Sequence, residues 1–360
     1  MIDIQELVRD TASRLFKDHC TRAVQDAAER GTWPAAAWDA ASEAGLLSAL
    51  DPESTDDSLL PLNVLAPLME MTGVHAVPLP VGETLLAQRL FTTAGLAFPD
   101  GPLSIASGLD PLPDLSRTKN GWELSGPVRR VPWGRHARAI AVAARYEERL
   151  VLVRLEGLQP DTLGVNLAGE ARDSFELTSY RLTDDAVQNN AVQVGSRLRF
   201  EGALLRSLQI AGALGRVLEQ TVQYSLDRVQ FGRPIAKFQA VQHQVAVLAG
   251  HSAAAVAAAA AAVNADWAQT GGFEIAAAKL RTSEAASIGC EIGHQVHGAI
   301  GFTHEYDLHL RTRRLLSWRD EFGSETEWAH WIGERVGAVG GDGLWNYIQS
   351  PYEVVLERVA

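Results

Sequence analysis

The sequence predicts an α+β protein in which helices and strands occupy separate stretches of the chain. Residues 1 to about 100 show helical periodicity, about Leu103 to Ser196 read as short strands and turns, and helical periodicity returns from about Leu198 to Gln349. This order indicates segregated layers rather than alternating βαβ units. No Gly-x-Gly-x-x-Gly segment opens a βαβ unit, so a Rossmann-type NAD site is not expected.

The first stretch is predicted to be mostly helical. Helices are expected over Leu59–Met71 and Glu83–Leu90, and the segment Ala76–Leu86, which overlaps the start of the second helix, reads on its own as a proline-rich linker. Two further apolar stripes have the spacing of amphipathic helices. They consist of Ile4, Leu7, Val8, Thr11 and Leu15, and of Trp38, Ala41, Ala44 and Leu47.

The middle stretch changes to a strand pattern. Ala139–Ala144, Leu150–Leu155 and Ser174–Ser179 are short runs of β-forming character, separated by Gly, Pro, Asn and Asp. The sequence therefore predicts a small sheet between the two helical parts.

The third stretch contains two long helices joined by a tight corner. Apolar residues recur at helical spacing over Leu204–Leu226, and Ala240–Val263 is nearly continuous in good helix formers. Gly232 and Pro234 end one helix and allow the next to begin.

This corner displays a cation, an aromatic ring and an amide, namely Arg228, Phe231 and Gln239. A guanidinium offers a forked, permanently charged donor set, and a phenyl ring offers a stacking surface. The three residue types suit a nucleotide phosphate and its adjoining ring. The alternative is structural, with Arg228 paired to a carboxylate and Phe231 in the core.

Composition limits the classes of partner. Of 360 residues, 32 are Lys or Arg and 44 are Asp or Glu, which gives a net charge of −12 and disfavours nucleic acid and anionic membranes. Cys20 and Cys290 make neither a disulfide framework nor a metal set, the histidines lack metal-ligand spacing, and no secretory signal is visible. A cytoplasmic location is expected. The alanine-rich run Ala253–Val263 is judged too short for a membrane span.

Two segments of the third stretch resemble motifs of the acyl-CoA dehydrogenase family. Arg228–Gln239 matches the family pattern Arg-x-x-Phe-Gly-x-x-Ile-x-x-x-Gln. Gln295–Phe302 matches Gln-x-x-Gly-Gly-x-Gly-Phe, with Ala299 at the second glycine. The resemblance is specific from about Arg206 to Arg314 and weaker elsewhere.

The resemblance implies an acyl-CoA dehydrogenase-like α+β fold. Its domains would be an N-terminal helical domain over residues 1–102, a middle β-barrel domain over 103–197 and a C-terminal four-helix bundle domain over 198–360. It also implies FAD as cofactor. In the family, one subunit holds the diphosphate and adenine half of an FAD that is bound mainly to its neighbour.

Carried over residue by residue, the resemblance places Arg228 on the FAD diphosphate and Phe231 against the nucleotide. The adenine side would be formed by Gln239, Gln295 and Gly298. It further implies an acyl-CoA substrate, for which an acidic chain needs a local basic pocket, and an electron-transfer flavoprotein as electron acceptor.

The middle stretch departs from the family at the flavin ring. The family has a Thr-Glu-Pro-x-x-Gly-Ser-Asp-like loop that contacts flavin and substrate, and the corresponding Ile105–Asp114 lacks it. An aromatic residue and a Thr or Ser usually face the flavin, and an ungapped match puts Arg130 and Pro132 there. Proline offers neither a hydroxyl nor an N–H, although a gap would bring Trp133 to the aromatic position.

The catalytic base is the second departure. Family members remove the α-proton of the substrate with a Glu while flavin N5 accepts the β-hydride. The ungapped count places Phe322 at one family position, with Glu321 one residue earlier, and Gly202 at the other, with Glu201 adjacent. Either Glu is a candidate base, and the alternative for each is a solvated surface carboxylate.

Three functions follow. The favoured one is a subunit of a heteromeric acyl-CoA dehydrogenase whose homologous partner, as in a heterotetramer, carries the flavin-ring pocket and the base. The second is a self-sufficient homotetrameric dehydrogenase that uses Glu321 or Glu201. The third is a non-catalytic scaffold subunit that kept the fold for assembly only.

Overall fold

The chain separates into two compact units, residues 1–205 and 206–360. The computed structural model describes residues 4–50, 58–109, 111–188, 190, 192, 194–265 and 272–349. Helices give way to strands between Ala94 and Leu103, and helix returns at Val194. The three-domain division stays a prediction.

The first unit begins with five helices: α1 (Ile4–His19), α2 (Arg22–Glu29), α3 (Ala35–Glu43), α4 (Leu62–Val74) and α5 (Val81–Ala94). The stripe predicted near the N-terminus lies on α1. The segment predicted as a proline-rich linker is only partly one, because α5 begins at Val81 and its first seven residues are all buried.

A six-stranded sheet follows. Its strands are β1 (Leu103–Ile105), β2 (Asp114–Thr118), β3 (Gly121–Pro132), β4 (Ala139–Tyr146), β5 (Arg149–Glu156) and β6 (Arg172–Leu182). One edge of β4 is shared by β1 and β2, which run parallel to it, and its other edge pairs with the antiparallel β5. Antiparallel pairing then continues from β2 through β3 to β6. The run Ala139–Ala144 is buried throughout, as its uninterrupted apolar character predicts.

The boundary between the units falls within α6 (Val194–Asp227), which begins about ten residues before its predicted start. The second unit continues through a short hairpin, β7 (Val229–Gln230) and β8 (Arg233–Pro234), to α7 (Gln239–Val263), α8 (Phe273–His297), α9 (Leu308–Trp318), α10 (Glu325–Val339) and α11 (Leu344–Gln349).

The core of the second unit lies between the long helices. Gly289 of α8 allows close packing there, because a Cβ at this position would lie 2.4 Å from Cδ2 of Leu214 on α6. The inward face of α7 is a stripe of mostly small residues: Leu248, Ser252, Ala255, Ala259 and Ala262. Small side chains let helices approach closely, and α7 packs against α8.

The alanine-rich run Ala253–Val263 is the C-terminal part of a longer helix. The helix continues over Gln239–Val263, and within the described residues it alone has the length and apolar composition of a membrane span. The buried residues of α7 form a stripe on one face, as in a helix that packs on one side against other helices. That the chain has no membrane partner stays a prediction.

Candidate functional site

The corner between α6 and α7 is a two-residue hairpin. Its strands pair at Val229 with Pro234 and at Gln230 with Arg233. Phe231 and Gly232 form the turn with φ values of +52° and +74°, and positive φ at both central residues is the signature of a type I′ turn. The glycine meets this requirement at no steric cost, whereas the phenylalanine is held in a conformation that its Cβ disfavours.

The three side chains predicted at this corner are all exposed, and Phe231 is 91% accessible. The alternative that Phe231 is part of the core is therefore wrong. No carboxylate of the described residues forms an ion pair with Arg228. Within the described residues, the alternative that Arg228 pairs with a carboxylate therefore has no support. Gln239 begins α7. A cation, a ring and an amide are available to a ligand here.

The second predicted segment begins at the end of α8. Gln295 and Gly298 are exposed, and Gly298 has φ +63° and ψ −143°, a combination that essentially only glycine adopts. Gly301 is buried, and a Cβ there would lie 3.0 Å from Cβ of His297. Ala299, where the family pattern has a glycine, is exposed.

Tertiary packing brings the two segments to the same end of the second unit. Helices α7 and α8 are antiparallel neighbours, since His251 meets Arg281 while Leu248 lies near Gly289. The start of α7 therefore lies beside the end of α8. The ring of Tyr224 near the end of α6 stacks on His297 with centroids 4.5 Å apart, which ties the first segment to the second.

Glu321 lies in the turn between α9 and α10 rather than on a helix. Its Oε2 accepts a hydrogen bond from Nε of Arg206 at 2.7 Å, and the two side chains are 12% and 1% exposed. The same guanidinium donates from Nη1 to Oε1 of Gln209. The reading of Glu321 as a solvated surface carboxylate is therefore wrong: it is the anionic half of a buried ion pair.

Glu201 lies on the part of α6 that belongs to the first unit. Its side chain is 13% exposed, and Oε1 lies 3.3 Å from Nη2 of Arg197. Burial raises the pKa of its carboxyl, and the charges of Arg197 and then Arg89 oppose that rise. Oε2 has no hydrogen-bond partner among the described residues. Glu201 too is not a solvated surface carboxylate, and a buried carboxyl with a raised pKa suits proton transfer.

Comparisons with known proteins agree with these features. A family model described as "Acyl-CoA dehydrogenase, C-terminal domain" matches residues 198–335, which include both nucleotide segments and both glutamates. This part of the chain is similar to the C-terminal domain of the acyl-CoA dehydrogenase family. Members of this family are FAD flavoproteins.

Among curated relatives, acyl-CoA dehydrogenase IpdE2 of Mycobacterium tuberculosis is 43% identical over 112 residues, which is 31% of this chain and 34% of the relative. Acyl-CoA dehydrogenase FadE34 of the same organism is 34% identical over 158 residues, which is 42% of this chain and 19% of the relative. The chain thus spans about a third or less of the length of these curated relatives.

The similarity in fold covers more of the chain than the similarity in sequence does. The ChsE4-ChsE5 complex from Mycobacterium tuberculosis is similar with a TM-score of 0.82 at 19% identity, covering 95% of this chain and 99% of that chain. Butyryl-CoA dehydrogenase from Megasphaera elsdenii has a TM-score of 0.79 at 17% identity, covering 93% and 98%. These similarities confirm the predicted α+β, acyl-CoA dehydrogenase-like fold class.

Phe322, which the ungapped count places at a base position of the family, is a buried ring. Phe322 is 2% exposed and adopts φ +57° in the turn that follows α9. Its ring faces the Arg206 guanidinium with a centroid distance of 5.4 Å. Ser324 then caps α10 in a capping box with Glu327. This local structure keeps Phe322 in place and leaves Glu321 paired with Arg206.

Arg130 and Pro132, which the ungapped match puts at the family's flavin-facing positions, lie on an irregular part of β3. The pairing of β3 with β6 shifts register between Val128 and Val131, which makes Arg129 and Arg130 a bulge. Arg130 is exposed with φ +49°, and Pro132 is buried. Trp133 is 7% exposed and packs inside the first unit. The segment Ile105–Asp114 lacks the family's flavin-contacting loop, and its residue 110 lies outside the described residues.

Sequence reasoning missed Lys279. Its ammonium is fully buried in α8 and donates to the Ser283 hydroxyl at 3.0 Å and to the carbonyl oxygens of Arg319 and Gly323 at 2.5 and 2.9 Å. Burial lowers the pKa of Lys279 to about 7, and the charge of Glu321 is the largest opposing effect. The available signal was a single lysine inside the apolar run Ile275–Leu280. A lysine in such a run is usually interpreted only as a helix-forming residue.

Replacing Gly298 by alanine tests whether the backbone conformation at this position requires glycine. A Cβ there meets nothing within 4 Å, so the expected loss of about 1–3 kcal/mol in the free energy of unfolding comes from the backbone conformation alone. Gly215→Ala in α6, also in open space, is the matched control and should be neutral or stabilising. Urea denaturation of both variants measures this, and equal unfolding free energies would contradict the strained position of Gly298.

Proposed function

We propose that this chain is one subunit of a heteromeric acyl-CoA dehydrogenase, in which it supplies the ADP side of an FAD site shared with a homologous partner. The observation that carries the proposal is the exposed corner of the second unit. Nucleotide-binding side chains that a single chain uses for its own cofactor are normally packed into a pocket of that chain. Here a cation, a ring and two amides face outward.

The residues present fit the nucleotide half of FAD. The Arg228 guanidinium, without a carboxylate partner among the described residues, suits a diphosphate. The exposed ring of Phe231 offers a face to pack against the nucleotide, and Gly298 lets the backbone approach without a side chain. Gln239 and Gln295 add carboxamides for the adenine side. When bound, FAD supplies the acceptor for the β-hydride of an acyl-CoA.

The rest of a dehydrogenase site is poorly represented in this chain. Phe322 occupies a base position of the family, and Glu321 beside it is neutralised by Arg206 at 2.7 Å. Pro132 and Arg130 replace the hydroxyl and the ring that usually face the flavin. A heteromeric assembly needs such a subunit. It keeps the half of the cofactor site that it donates to its partner and lacks the half that would bind its own flavin.

The fold similarity to the ChsE4-ChsE5 complex supports the same proposal, since that structure is a complex of two named components. We propose an acyl-CoA as substrate and an electron-transfer flavoprotein as the electron acceptor of the assembled enzyme. A cytoplasmic location stays a prediction.

Replacing Arg228 by alanine in the chain co-expressed with a homologous dehydrogenase subunit should lower the flavin retained by the purified complex at least several-fold. The reason is the loss of a charge-assisted contact to the diphosphate, worth about 1.5–3 kcal/mol. Flavin per complex is measured by absorbance after denaturation.

Arg216→Ala is the matched control, because Arg216 lies on α6, which ends one residue before Arg228, is exposed and pairs with Glu219. Equal flavin content in the two variants would contradict the role of Arg228. Full flavin content with both Arg228 and Gln295 replaced would favour the non-catalytic scaffold.

A self-sufficient homotetramer is the second candidate, and Glu201 is the observation that favours it. Its buried carboxyl has a raised pKa and an oxygen without a hydrogen-bond partner among the described residues, as a general base would. Purification of this chain alone discriminates between the two candidates. A yellow preparation that dehydrogenates an acyl-CoA and loses turnover in Glu201→Gln supports the homotetramer, whereas a colourless one supports the heteromeric subunit.

A further inference from the structure

The first unit contains a cavity that the proposed dehydrogenase function does not use. It has a volume of about 850 Å³, which is within the range of small-molecule sites. It lies where the chain enters β1, since the residues before that strand, Pro99–Pro102, form part of its wall. The segment that leaves β1 at the other end packs instead on the start of α6, where Gly108 meets Leu198 and Arg199. The cavity and Glu201 thus lie toward opposite ends of β1.

Aromatic rings form one wall of the cavity. Trp33, between α2 and α3, lies 5.6 Å from Trp38 in the first turn of α3 and 4.9 Å from His136, measured between ring centroids. All three are half-buried and line the cavity. Behind them, Trp133 supports Trp33 edge-on at 6.5 Å. Half-buried, mutually braced rings are a stacking surface for a flat ligand.

Two arginines, Arg135 and Arg138, also line the cavity. Arg135 is fixed by Asp173, which is fully buried, through its Nη2 at 2.6 Å and its backbone N–H at 2.7 Å. The pKa of His136 is lowered by burial and then by Arg135, and the opposing effect of Asp173 is smaller.

Arg138 is the free cation of the cavity. It is exposed and forms no ion pair with a carboxylate of the described residues. Two acidic side chains also line the cavity: Asp100 is exposed, and Glu156 is bound by Arg154 at 2.5 Å. A ligand that stacks on the tryptophans can reach Arg138 with an anionic group.

We infer that this cavity, formed by Trp33, Trp38, His136 and Arg138, is a binding site for a planar aromatic anion. The rings hold the flat part of the ligand, and the Arg138 guanidinium pairs with its carboxylate, sulfonate or phosphate. The nucleotide corner belongs to the other unit, and this inference does not depend on the proposed dehydrogenase function.

The test uses two probes of the same shape and different charge, naphthalene-2-sulfonate and neutral naphthalene-2-sulfonamide, titrated into the full chain by calorimetry. The sulfonate should bind saturably with one site per chain. Arg138→Gln should weaken it about tenfold or more, which is the loss of one charge-assisted contact, and should leave the sulfonamide unchanged. Arg181→Gln, an exposed arginine of the same unit that does not line the cavity, should change neither.

A second pair of variants tests the ring wall. Trp38→Leu should weaken both probes, whereas Trp345→Leu, which removes a tryptophan that is 67% exposed in the other unit, should weaken neither. Arg228→Ala should also leave both affinities unchanged. The inference fails if the sulfonate shows no saturable binding, if it binds no better than the sulfonamide, or if Arg138→Gln and Arg181→Gln have equal effects.

Discussion

Replacing Glu321 by alanine should destabilise the second unit by about 3–5 kcal/mol, the usual loss when one partner of a buried ion pair is removed. The variant deletes the carboxylate that accepts from Nε of Arg206 at 2.7 Å, where the two side chains are 12% and 1% exposed. A charge that has left water without a nearby counter-charge is costly. Urea denaturation followed by circular dichroism measures the change in unfolding free energy.

The matched control is Glu219→Ala, which removes the carboxylate of the exposed pair with Arg216 at 2.9 Å. Exposed pairs contribute about 0–1 kcal/mol, so the control should unfold nearly as the parent chain does. Similar losses for the two variants would show that the Arg206–Glu321 pair is not a buried structural contact. A stable Glu321→Ala chain whose assembled complex lost turnover would return Glu321 to the role of base.

The stability of the chain should depend on pH through Lys279. Burial lowers its pKa to about 7 from the ordinary lysine value of 10.5, so between these values the unfolded chain binds a proton at this lysine that the folded chain does not. Stability therefore rises with pH in this window, by about 1.4 kcal/mol per pH unit for one such group. Between pH 7 and pH 9 the rise due to Lys279 approaches ~2–3 kcal/mol.

Lys279→Met removes this contribution, so the difference in unfolding free energy between parent and variant should grow in favour of the parent from pH 7 to pH 9. The measurements stop at pH 9 because burial raises the pKa of Cys290 to about 12, which lowers the stability of the folded chain at more alkaline pH. Lys237→Met, at an exposed lysine, is the control and should follow the parent curve. A pH-independent difference between the parent and Lys279→Met would overturn the prediction.

Local signals in the sequence were sufficient for the corner between α6 and α7. Gly232 and Pro234 interrupt two helix-forming runs, and this punctuation predicts a turn whatever the rest of the chain does. The residue types at Arg228, Phe231 and Gln239 predict a ligand rather than a core. Their exposure, and the antiparallel packing of α7 on α8 that brings Gly298 to the same end, depend on residues about sixty positions away.

The two glutamates show where sequence reasoning stops. Counting along the chain puts Glu321 and Glu201 near family base positions, and counting cannot distinguish a base from a salt bridge. The difference depends on Arg206, which is 115 residues from Glu321 in sequence and 2.7 Å from it in space. For Glu201 the deciding quantity is burial beside Arg197 and Arg89, which raises its pKa.

The sequence by itself determined the α+β order of helices and strands and the turn at the corner, and it singled out Arg228, Phe231 and Gln239 as candidate nucleotide-binding residues. Each of these depends on periodicity, turn chemistry or motif, which are properties of neighbouring residues. Only the tertiary structure decided that Glu321 is bound to a buried guanidinium, that Lys279 is enclosed by three acceptors and that Trp33, Trp38 and Arg138 line one cavity. Desolvation and charge pairing act between side chains that are close in space, and chain position alone does not specify which side chains those are.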